Sequence, residues 1–499
     1  MTMRTRAALA TIMLALLPLA PAGADETFTF YGSGWGHGIG MSQYGAFGLA
    51  QDGWSAPEIL THYYRGTRVG SMASPVRKLR IGLLQGRHRV TLTASGGHLT
   101  LVLRGDRVGR IRSGKTKFVE ASGGRYMIGR PGRTGRSRGT LGNLRVKRAP
   151  GAVATVAGWG SVGQGRLELA GASGSSMHLV AVMKPEAYLR GVAEVPSSWP
   201  RESLEAQAIA ARTYAFRKVK GDPGQRRSGC ACGLYGDTRD QYYAGWSKET
   251  GPSGERWVSA VAATKGLVVT YGGSLIPTYY SSSSGGFTES VQNVWVGASP
   301  APYLKGVCDP GDWVSANGNR TWSASFSASG LTSKLRSLTG NIGTVTGFGS
   351  YDLGVSGRVR TIKVKGSSGS AVVEGWDLRG KLGLKDTRFR VGQDRNVTGK
   401  IRRAYDDLMC RPGVATAPAQ EISGGKVQEF EEGRMYLNEG HASAVWLRGP
   451  VLDAYLAEGG PGSSLGLPRS LDKTSDGGWL GAFDGGTITC PPSGVCTSS

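Results

Sequence analysis

The sequence predicts an α+β fold in which strands outnumber helices. Glycine accounts for 80 of the 499 residues without the three-residue period of collagen, and this content is typical of a chain with many turns. Short runs that alternate apolar and polar residues, such as Val90–Thr93 and Leu99–Leu103, indicate strands. Alanine-rich segments that predict helices are few, and the longest covers residues 201–218. The length suffices for two or three domains and a sizeable hydrophobic core.

The first 24 residues have the features of a signal peptide. Arg4 and Arg6 precede an apolar run over residues 7–19, and Ala22-Gly23-Ala24 supplies the small residues of a cleavage site. The run is too short to span a bilayer comfortably, and no later stretch reaches the roughly 18 apolar residues that a spanning helix needs. We therefore expect a secreted chain without a transmembrane segment.

Positive charge is concentrated in one segment. The formal net charge is +24, and residues 71–150 contain 19 Lys or Arg but only two acids, Asp106 and Glu120. Such a segment attracts polyanions, and its densest cluster is Arg130, Arg133, Arg136 and Arg138. Because an exported protein does not meet chromosomal DNA, we expect anionic envelope polymers and no nucleic acid as partners. A solvated face kept soluble by its charge is the alternative.

The six cysteines are even in number, which suits an oxidising compartment. Cys490 and Cys496 flank a short Pro- and Gly-containing stretch and predict a small disulfide loop. Sequence alone leaves the pairing of the other four open. A zinc site is the alternative, but the single residue between Cys230 and Cys232 is shorter than the usual ligand spacing. We expect neither a metal nor another cofactor.

The first elements after the leader frame a glycine-rich loop. Residues 27–31 alternate like a strand and run into residues 32–40, where glycines on both sides of His37 permit positive φ angles. Residues 41–51 predict a short helix. A second helix is predicted over residues 56–64, with Ser55 and Glu58 in the positions of a capping box.

The remaining chain predicts strands first and then helices. Residues 76–150 have the pattern of a β-meander with its cations on the outer face. Pro200 opens the helix over residues 201–218, since its missing N–H is not needed in the first turn. The elements expected next are a helix over 256–264, strands over 267–271 and 276–280, and a serine-rich loop over 281–286.

The C-terminal part begins after a linker. Residues 411–425 contain Pro and Gly but no aromatic residue, which is typical of a linker. Beyond it, the surroundings of Phe430 recur around Phe483, so the sequence predicts a weak internal repeat.

Glu194 is the residue whose chemistry stands out. It lies on the loop that enters the helix over 201–218, close to Val195, Pro196 and Trp199. A carboxyl group in a partly apolar cleft has a raised pKa and can donate a proton to a glycosidic oxygen of a neutral polymer. Spacing alone leaves open that Glu194 is a surface residue in a turn, that His37 is structural and that the serine run is only a loop.

Several long motifs occur together between residues 28 and 392. They are Gly34-Trp35-Gly36-His37-Gly38-Ile39-Gly40-Met41-Ser42-Gln43-Tyr44-Gly45-Ala46, Tyr188-Leu189-Arg190-Gly191, Ser198-Trp199-Pro200, Glu205-Ala206-Gln207-Ala208-Ile209-Ala210-Ala211-Arg212-Thr213-Tyr214-Ala215 and Ser283-Ser284-Gly285-Gly286-Phe287-Thr288-Glu289. This set resembles the SpoIID/LytB family, whose namesakes are stage II sporulation protein D, a lytic transglycosylase, and an amidase enhancer. The segment 459–468 is similar to LGFP repeats, which are implicated in cell-wall association.

The resemblance implies cleavage of peptidoglycan glycan strands without water. Glu194 matches the catalytic Glu of the family, which protonates the oxygen between N-acetylmuramic acid and N-acetylglucosamine and then acts as base on the muramic 6-hydroxyl. By position, the resemblance also implies substrate-binding residues, namely Arg212, Gln207, His37, Gln43, Ser284 and Glu289. The alternative is a non-catalytic wall-binding protein that recruits or stimulates an amidase. Either function implies a cell-wall-associated protein.

The order of the motifs predicts a circular permutation. In the family the Gly-Trp-Gly-His-Gly block usually follows a segment like residues 375–384, whereas here it comes first. We therefore expect residues 27–37 to pack beside residues 359–392. The predicted organisation is a signal peptide (1–24), a permuted SpoIID segment (25–70), a basic strand-rich segment (71–150), a SpoIID/LytB core (151–410), a linker (411–425) and LGFP-like wall-binding repeats (426–499).

Overall fold

The computed structural model describes residues 25–74, 77–222, 224–408, 410–492 and 495–499. The expected signal peptide, residues 1–24, lies outside the described residues. The chain is mixed α+β, with 37% of its residues in strands and 23% in helices, as the sequence predicts. None of the helices in the described ranges has the length and apolar character needed to cross a bilayer.

The strands are short and run through the whole described chain. In chain order they are β1 Thr27–Gly32, β2 Met41–Ser42, β3 Arg68–Ser71, β4 Leu79–Arg87, β5 Arg89–Ser95, β6 Leu99–Leu103, β7 Asp106–Ile111, β8 Thr116–Ser122, β9 Arg125–Gly129, β10 Arg136–Thr140, β11 Leu144–Arg148, β12 Val153–Val156, β13 Gly160–Val162, β14 Arg166–Ser173, β15 Ser176–Met183, β16 Leu234–Tyr235, β17 Leu267–Tyr271, β18 Ser274–Leu275, β19 Tyr280–Ser281, β20 Trp322–Ser327, β21 Val345–Leu353, β22 Val359–Gly366, β23 Gly369–Glu374, β24 Phe389–Val391, β25 Gln420–Ile422, β26 Gly425–Phe430, β27 Gly433–Asn438, β28 Val445–Leu447, β29 Pro468–Lys473, β30 Trp479–Phe483, β31 Thr487–Cys490 and β32 Thr497–Ser498.

The helices are concentrated around residues 43–63 and 185–263. They are α1 Gln43–Gln51, α2 Ala56–Tyr63, α3 Pro185–Arg190, α4 Arg201–Val219, α5 Trp246–Thr250, α6 Gly254–Ala263, α7 Val291–Val294, α8 Ala328–Thr339, α9 Gly375–Leu382, α10 Gly399–Asp407 and α11 Gly449–Ala457, with short 3₁₀ turns at Pro302–Leu304, Pro310–Trp313 and Gly460–Gly462. Ser55 and Glu58 form the predicted capping box of α2. The helix expected over 41–51 begins at Gln43, because Met41 and Ser42 pair with β19.

The basic segment forms part of two sheets that share one core. One sheet has the order β10-β9-β8-β5-β12-β13 and the other β16-β4-β15-β14-β11-β6-β7. The expectation of a single meander is wrong, because successive strands leave one sheet for the other: β5 pairs with β8 and β12, whereas β6 pairs with β7 and β11. Apart from β16, the strands of the two sheets lie between Leu79 and Met183, so residue 150, the predicted end of the segment, lies between two of their strands.

Helix α4 connects these sheets to a helical layer. Its residues Leu204, Ala208 and Ala211 belong to the core of the two sheets, while Ile209 and Ala210 pack with α1 and α2. A helix that is apolar on two opposite sides is buried between layers. The small alanine side chains of α4 allow both layers to approach the helix closely. The loop before α4 leads directly into this buried helix.

The N-terminal strand completes a sheet whose other strands come from much later in the chain. β1 lies between β20 and β24, with Phe30 opposite Ala324 on one side and Val391 on the other. The Gly36 N–H also donates to the Lys385 carbonyl at 3.1 Å. Residues 27–37 therefore pack where the permutation hypothesis expects them. The permutation itself stays a prediction.

The C-terminal part consists of two similar four-stranded sheets, β25-β26-β27-β28 and β29-β30-β31-β32. Phe430 ends β26 and Phe483 ends β30, and each is followed by a turn into the next strand. The internal repeat is thus a repeated hairpin. Residues 411–425 are more ordered than a free linker, since Ala415 forms a bridge with Phe430 and β25 pairs with β26.

All six cysteines form disulfide bonds. Cys490 pairs with Cys496 as predicted, and the pairs that the sequence left open are Cys230–Cys232 and Cys308–Cys410. The last of these joins residues that are 102 positions apart, on either side of α8, α9 and α10.

Replacing Cys308 and Cys410 together by serine is expected to destabilise the protein by about 2–5 kcal/mol, because the open chain gains the entropy of a long loop. Urea unfolding followed by tryptophan fluorescence measures the loss. The matched control is the Cys490→Ser, Cys496→Ser variant, which opens a much shorter loop and should lose less. An equal loss in both variants would contradict an effect of loop length.

Candidate functional site

Glu194 lies on the loop between α3 and α4, beside the loop that contains Tyr242. The Ala193 N–H donates to the Tyr242 carbonyl at 2.8 Å. In return the Tyr242 N–H donates to Oε1 of Glu194 at 2.6 Å. The backbone of one loop therefore fixes both the main chain and the carboxyl group of the other.

Burial controls the acidity of this carboxyl group. It raises the pKa of Glu194 from 4.5 to about 7, although hydrogen bonds from the Tyr242 N–H and the Tyr280 hydroxyl act in the opposite direction. The neutral acid is thus well populated near neutral pH. Glu194 has the protonation state that a general acid needs.

A chain of buried hydrogen bonds orients the Tyr280 hydroxyl. Tyr188 donates to Oε1 of Gln241 at 2.9 Å, and Nε2 of Gln241 donates to the Tyr280 oxygen at 2.8 Å. Because that oxygen accepts from Gln241, its own hydrogen points to Glu194. Tyr280 therefore stabilises the ionised form of Glu194.

Gln43 and Gln207 lie beside the main chain of Glu194. Nε2 of Gln43 is 3.3 Å from the Glu194 carbonyl and 3.3 Å from Oε1 of Gln207. Gln43 begins α1 and Gln207 lies on α4, so the loop is held where these two helices meet. Nε2 of Gln207 is buried and has no hydrogen-bond partner in the described chain.

His37 reaches the site through Tyr280. Its Nδ1 accepts the Ile39 N–H at 2.9 Å, and the ring also hydrogen-bonds the backbone of Tyr280. Burial, followed by the nearby Arg358 and Arg379 guanidiniums, lowers the pKa of His37 to about 4, so the imidazole is neutral. Gly38 has a φ of 70°, and a side chain there would collide with Arg358. This explains one of the glycines of the loop.

Aromatic side chains surround the site. Tyr242 is 50% exposed, which is unusual for such a large ring. Below the surface, Trp199 packs against Tyr44 and Phe47 with ring centroids 5.0 and 5.2 Å apart. Exposed rings at the rim of a site provide flat surfaces for an organic ligand.

Lys248 is a cation close to Glu194 in the fold. Its Nζ donates to the carbonyl of Val195 at 2.6 Å and lies 5.1 Å from the Trp257 ring centroid. Burial lowers the pKa of Lys248 to about 8. Together with Gln43, it fixes the main-chain carbonyls of Glu194 and Val195.

Three of the predicted substrate-binding residues are fully buried. Arg212 donates to the Glu186 carboxylate at 2.8 and 2.9 Å and to two backbone carbonyls. The Ser284 hydroxyl donates to Asp309 at 2.6 Å. The Glu289 carboxylate accepts from the backbone and side chain of Ser356. Because the polar groups of these three side chains are bonded to other parts of the protein, they hold the surrounding segments together.

Sequence reasoning missed Tyr242, Tyr280, Gln241 and Lys248. They lie on loops, on a two-residue strand and on the short helix α5, where no periodic pattern marks them. Residues 276–280, expected as one strand, are mostly irregular, and Tyr280 begins β19. In the described ranges, no group of three or more His, Cys, Asp or Glu side chains is arranged to hold a metal ion.

Comparison with known families agrees with this geometry. Residues 173–271 match the family model described as stage II sporulation protein, SpoIID, and this range contains Glu194 and Tyr242. Residues 413–463 match the LGFP repeat model. The chain therefore contains a SpoIID domain and, C-terminal to it, an LGFP repeat.

Known proteins similar to this chain have related names. It is 30% identical over 227 residues to stage II sporulation protein D of Bacillus amyloliquefaciens, covering 43% of this chain and 62% of the relative. To the protein of that name from Bacillus subtilis it is 33% identical over 218 residues, or 41% and 59%. The amidase enhancer of Bacillus subtilis is 40% identical over 118 residues, or 23% and 14%. The chain thus spans less than two thirds of each relative.

The Glu194→Gln variant is expected to be more stable than the wild type at pH 8. The wild-type carboxyl ionises above about 4.5 in the unfolded chain but only above about 7 in the folded protein, so the wild type loses stability across this window. The gain in the variant should reach about 3 kcal/mol above pH 7 and shrink toward pH 4.5.

Thermal unfolding of both proteins between pH 4.5 and 8.5 measures this difference. Glu255→Gln serves as the control, because Glu255 is an exposed residue of α6 and its loss should change stability little at any pH. A gain in Glu194→Gln that does not vary with pH would contradict a buried carboxyl group with a raised pKa.

Proposed function

We propose that this chain is a lytic transglycosylase that cleaves the glycan strands of peptidoglycan outside the cell. The observation that carries the proposal is the partly buried Glu194 carboxyl, which the Tyr242 N–H and the Tyr280 hydroxyl hold and whose pKa burial raises to about 7. The names of the relatives, stage II sporulation protein D and amidase enhancer, support a function at the cell wall.

The reaction uses Glu194 twice. As general acid it donates its proton to the oxygen that links N-acetylmuramic acid to N-acetylglucosamine, and the bond from C1 to that oxygen breaks. The carboxylate then takes the proton of the muramic 6-hydroxyl, whose oxygen bonds to C1. Glu194 is protonated again, no water is consumed, and the product carries a 1,6-anhydro ring.

A single carboxyl group suffices because the substrate supplies the nucleophile. The groups that bond the Glu194 carboxyl are the Tyr242 N–H and the Tyr280 hydroxyl, and neither is a second acid. Both bonds strengthen as the carboxylate forms, so they assist the step in which Glu194 has lost its proton.

The other predicted residues act in two ways. Gln43 and Gln207 are buried beside the main chain of Glu194 and position it, whereas the exposed ring of Tyr242 offers a stacking surface to the sugar. We assign Arg212, Ser284 and Glu289 as positioning residues, because each is buried and bonded to protein. His37 positions Tyr280.

Two regions would keep the enzyme on the wall. The LGFP repeats are one, by the association implied for such repeats. The basic segment over residues 71–150 is the other, since anionic wall polymers are attracted to its net charge of +17. A secreted, wall-associated protein follows from the proposed substrate.

An amidase enhancer without its own catalysis is the second candidate function. The specific observation in its favour is the 40% identity to the Bacillus subtilis amidase enhancer over 118 residues. In that case an amidase would be the partner of this chain, and Glu194 would have no chemical role.

The decisive experiment looks for anhydro-muropeptides. Purified wild-type protein is incubated with denuded and with peptide-bearing glycan strands, and the products are analysed by mass spectrometry. We expect 1,6-anhydro-muramic ends from the wild type and a loss of at least about a hundredfold in Glu194→Gln, because the proton donor is gone.

Glu255→Gln is again the matched control, with turnover expected at the wild-type level. Undiminished anhydro product from Glu194→Gln would rule out the assigned acid. Absence of product from the wild type, together with stimulation of an added amidase, would favour the enhancer.

Replacing Tyr280 by phenylalanine should move the alkaline limb of the pH profile of kcat/KM upward by roughly one pH unit, because the ionised form of Glu194 loses a hydrogen bond and its pKa rises. The profile is measured on soluble glycan strands between pH 5 and 9. Tyr279→Phe is the control. It removes the hydroxyl of a neighbouring ring that packs against Trp295, and the alkaline limb should stay in place. A downward shift in Tyr280→Phe would contradict the proposed direction of the hydrogen bond.

A further inference from the structure

The outer face of the seven-stranded sheet is strongly basic. Its register places Arg107 opposite Val102, Val102 opposite Arg145, and Arg145 opposite Glu168. In the neighbouring row Arg110 and Lys147 flank Thr100 in the same way. The residues between these rows, such as Leu101, Val146 and Leu167, are buried in the core. Cations on β7 and β11 therefore line one side of the sheet, with the neutral side chains of β6 between them.

Glu168 is an acid in the middle of this face, and each of its carboxylate oxygens already forms a close ion pair. It is 2% exposed and forms ion pairs of 2.7 Å with both Arg80 and Arg166. These two guanidiniums neutralise it and hold it in place. Further cations near this carboxylate therefore add positive charge that it does not neutralise.

Two more arginines nevertheless converge on the same point. Arg145 on β11 and Arg226 on the loop before β16 each lie 3.9 Å from a Glu168 oxygen. Their side chains are 54% and 45% exposed, so their guanidiniums open to solvent. Burial and then the Arg80 guanidinium lower the pKa of Arg226, which agrees with crowding of like charges. Four arginines thus surround one carboxylate.

Such a surplus of positive charge favours a bound anion. Guanidinium groups bind phosphate oxygens in a bidentate manner, which an ammonium group cannot reproduce. Lys147 and Arg107 on the same face are exposed and continue the positive charge away from Glu168. The arrangement fits a chain of phosphate groups better than a single ion.

A polymer fits this face better than a membrane surface. Proteins that bind bilayers insert exposed apolar side chains beside their basic residues. The large hydrophobic side chains that are exposed in the described chain, among them Trp35, Tyr242 and Trp376, all lie outside residues 79–183.

We propose that Arg145 and Arg226 form a phosphate site above Glu168 that binds one phosphodiester group of an anionic wall polymer, while Lys147 and Arg107 contact the groups that follow. This inference deepens the wall-retention part of the proposed function and rests on it. The site combines residues from inside and outside the segment 71–150, so charge counting along the chain does not find it.

Binding of the full-length protein to poly(glycerol phosphate), measured by calorimetry at several salt concentrations, tests the site. In Arg145→Ala, Arg226→Ala the affinity should fall roughly tenfold or more, because two charge-assisted contacts are lost. The slope of log affinity against log salt should become shallower by about 1.4. Arg145→Lys, Arg226→Lys keeps the charge and should still lose affinity, because the bidentate contacts are gone.

The matched control is Arg130→Ala, Arg133→Ala, which removes the same charge from the turn between β9 and β10. Its affinity should fall less than about threefold. An equal fall in the control would overturn the site and leave retention by diffuse charge standing. No fall in either variant would overturn both.

Two further measurements separate the remaining outcomes. Binding of vesicles containing phosphatidylglycerol that is as tight as polymer binding, and is lost in Arg145→Ala, Arg226→Ala, would overturn the choice of a polymer. If the alanine variant does not fold, inorganic phosphate should protect Arg145 and Arg226 of the wild type from phenylglyoxal more than Arg130 and Arg133. The reverse pattern would overturn the site. Glycan cleavage, assayed on the same proteins, should be unchanged, and its absence throughout would overturn only the proposed reaction.

Discussion

The structure depends on how the fold holds one partly buried carboxyl group. Helix α4 follows the loop that carries Glu194. One side of this helix packs on the two sheets, and the other side packs on α1 and α2. The loop before this helix cannot retreat from Tyr242 or Tyr280. Burial disfavours the ionised form of a carboxyl group, so the packing of the surrounding layers raises the pKa of Glu194.

The polar residues of the family motifs have two different positions relative to Glu194. Polar residues of the family motifs fall into those that reach Glu194 and those that hold loops together from within. Arg212 is an example of the second kind, because its guanidinium joins α4 to Glu186 and to the backbone near β17. A residue in a motif can therefore be indispensable without touching a substrate.

Sequence reasoning succeeded where the signal was local. The strand after Thr27, the helix that begins at Arg201 and the repeat around Phe430 and Phe483 all follow from patterns within a few residues. It failed where distant segments meet. Alternation along residues 76–150 identifies strands but cannot tell which of two sheets each strand joins, because both sheets bury every second residue.

The site shows the same limit. Glu194 could be singled out by its residue type, its neighbours and the family resemblance. The partners of its carboxyl group, Tyr242 and Tyr280, lie farther along the chain, and Tyr242 contributes a backbone N–H that any residue except proline would supply. A single sequence carries no mark of such a partner.

The placement of β1 has a different consequence. Both of its neighbours, β20 and β24, come from much later in the chain, so the sheet is incomplete until Val391 is available. A chain truncated before Val391 would leave one edge of β1 open, and an open strand edge is prone to aggregation.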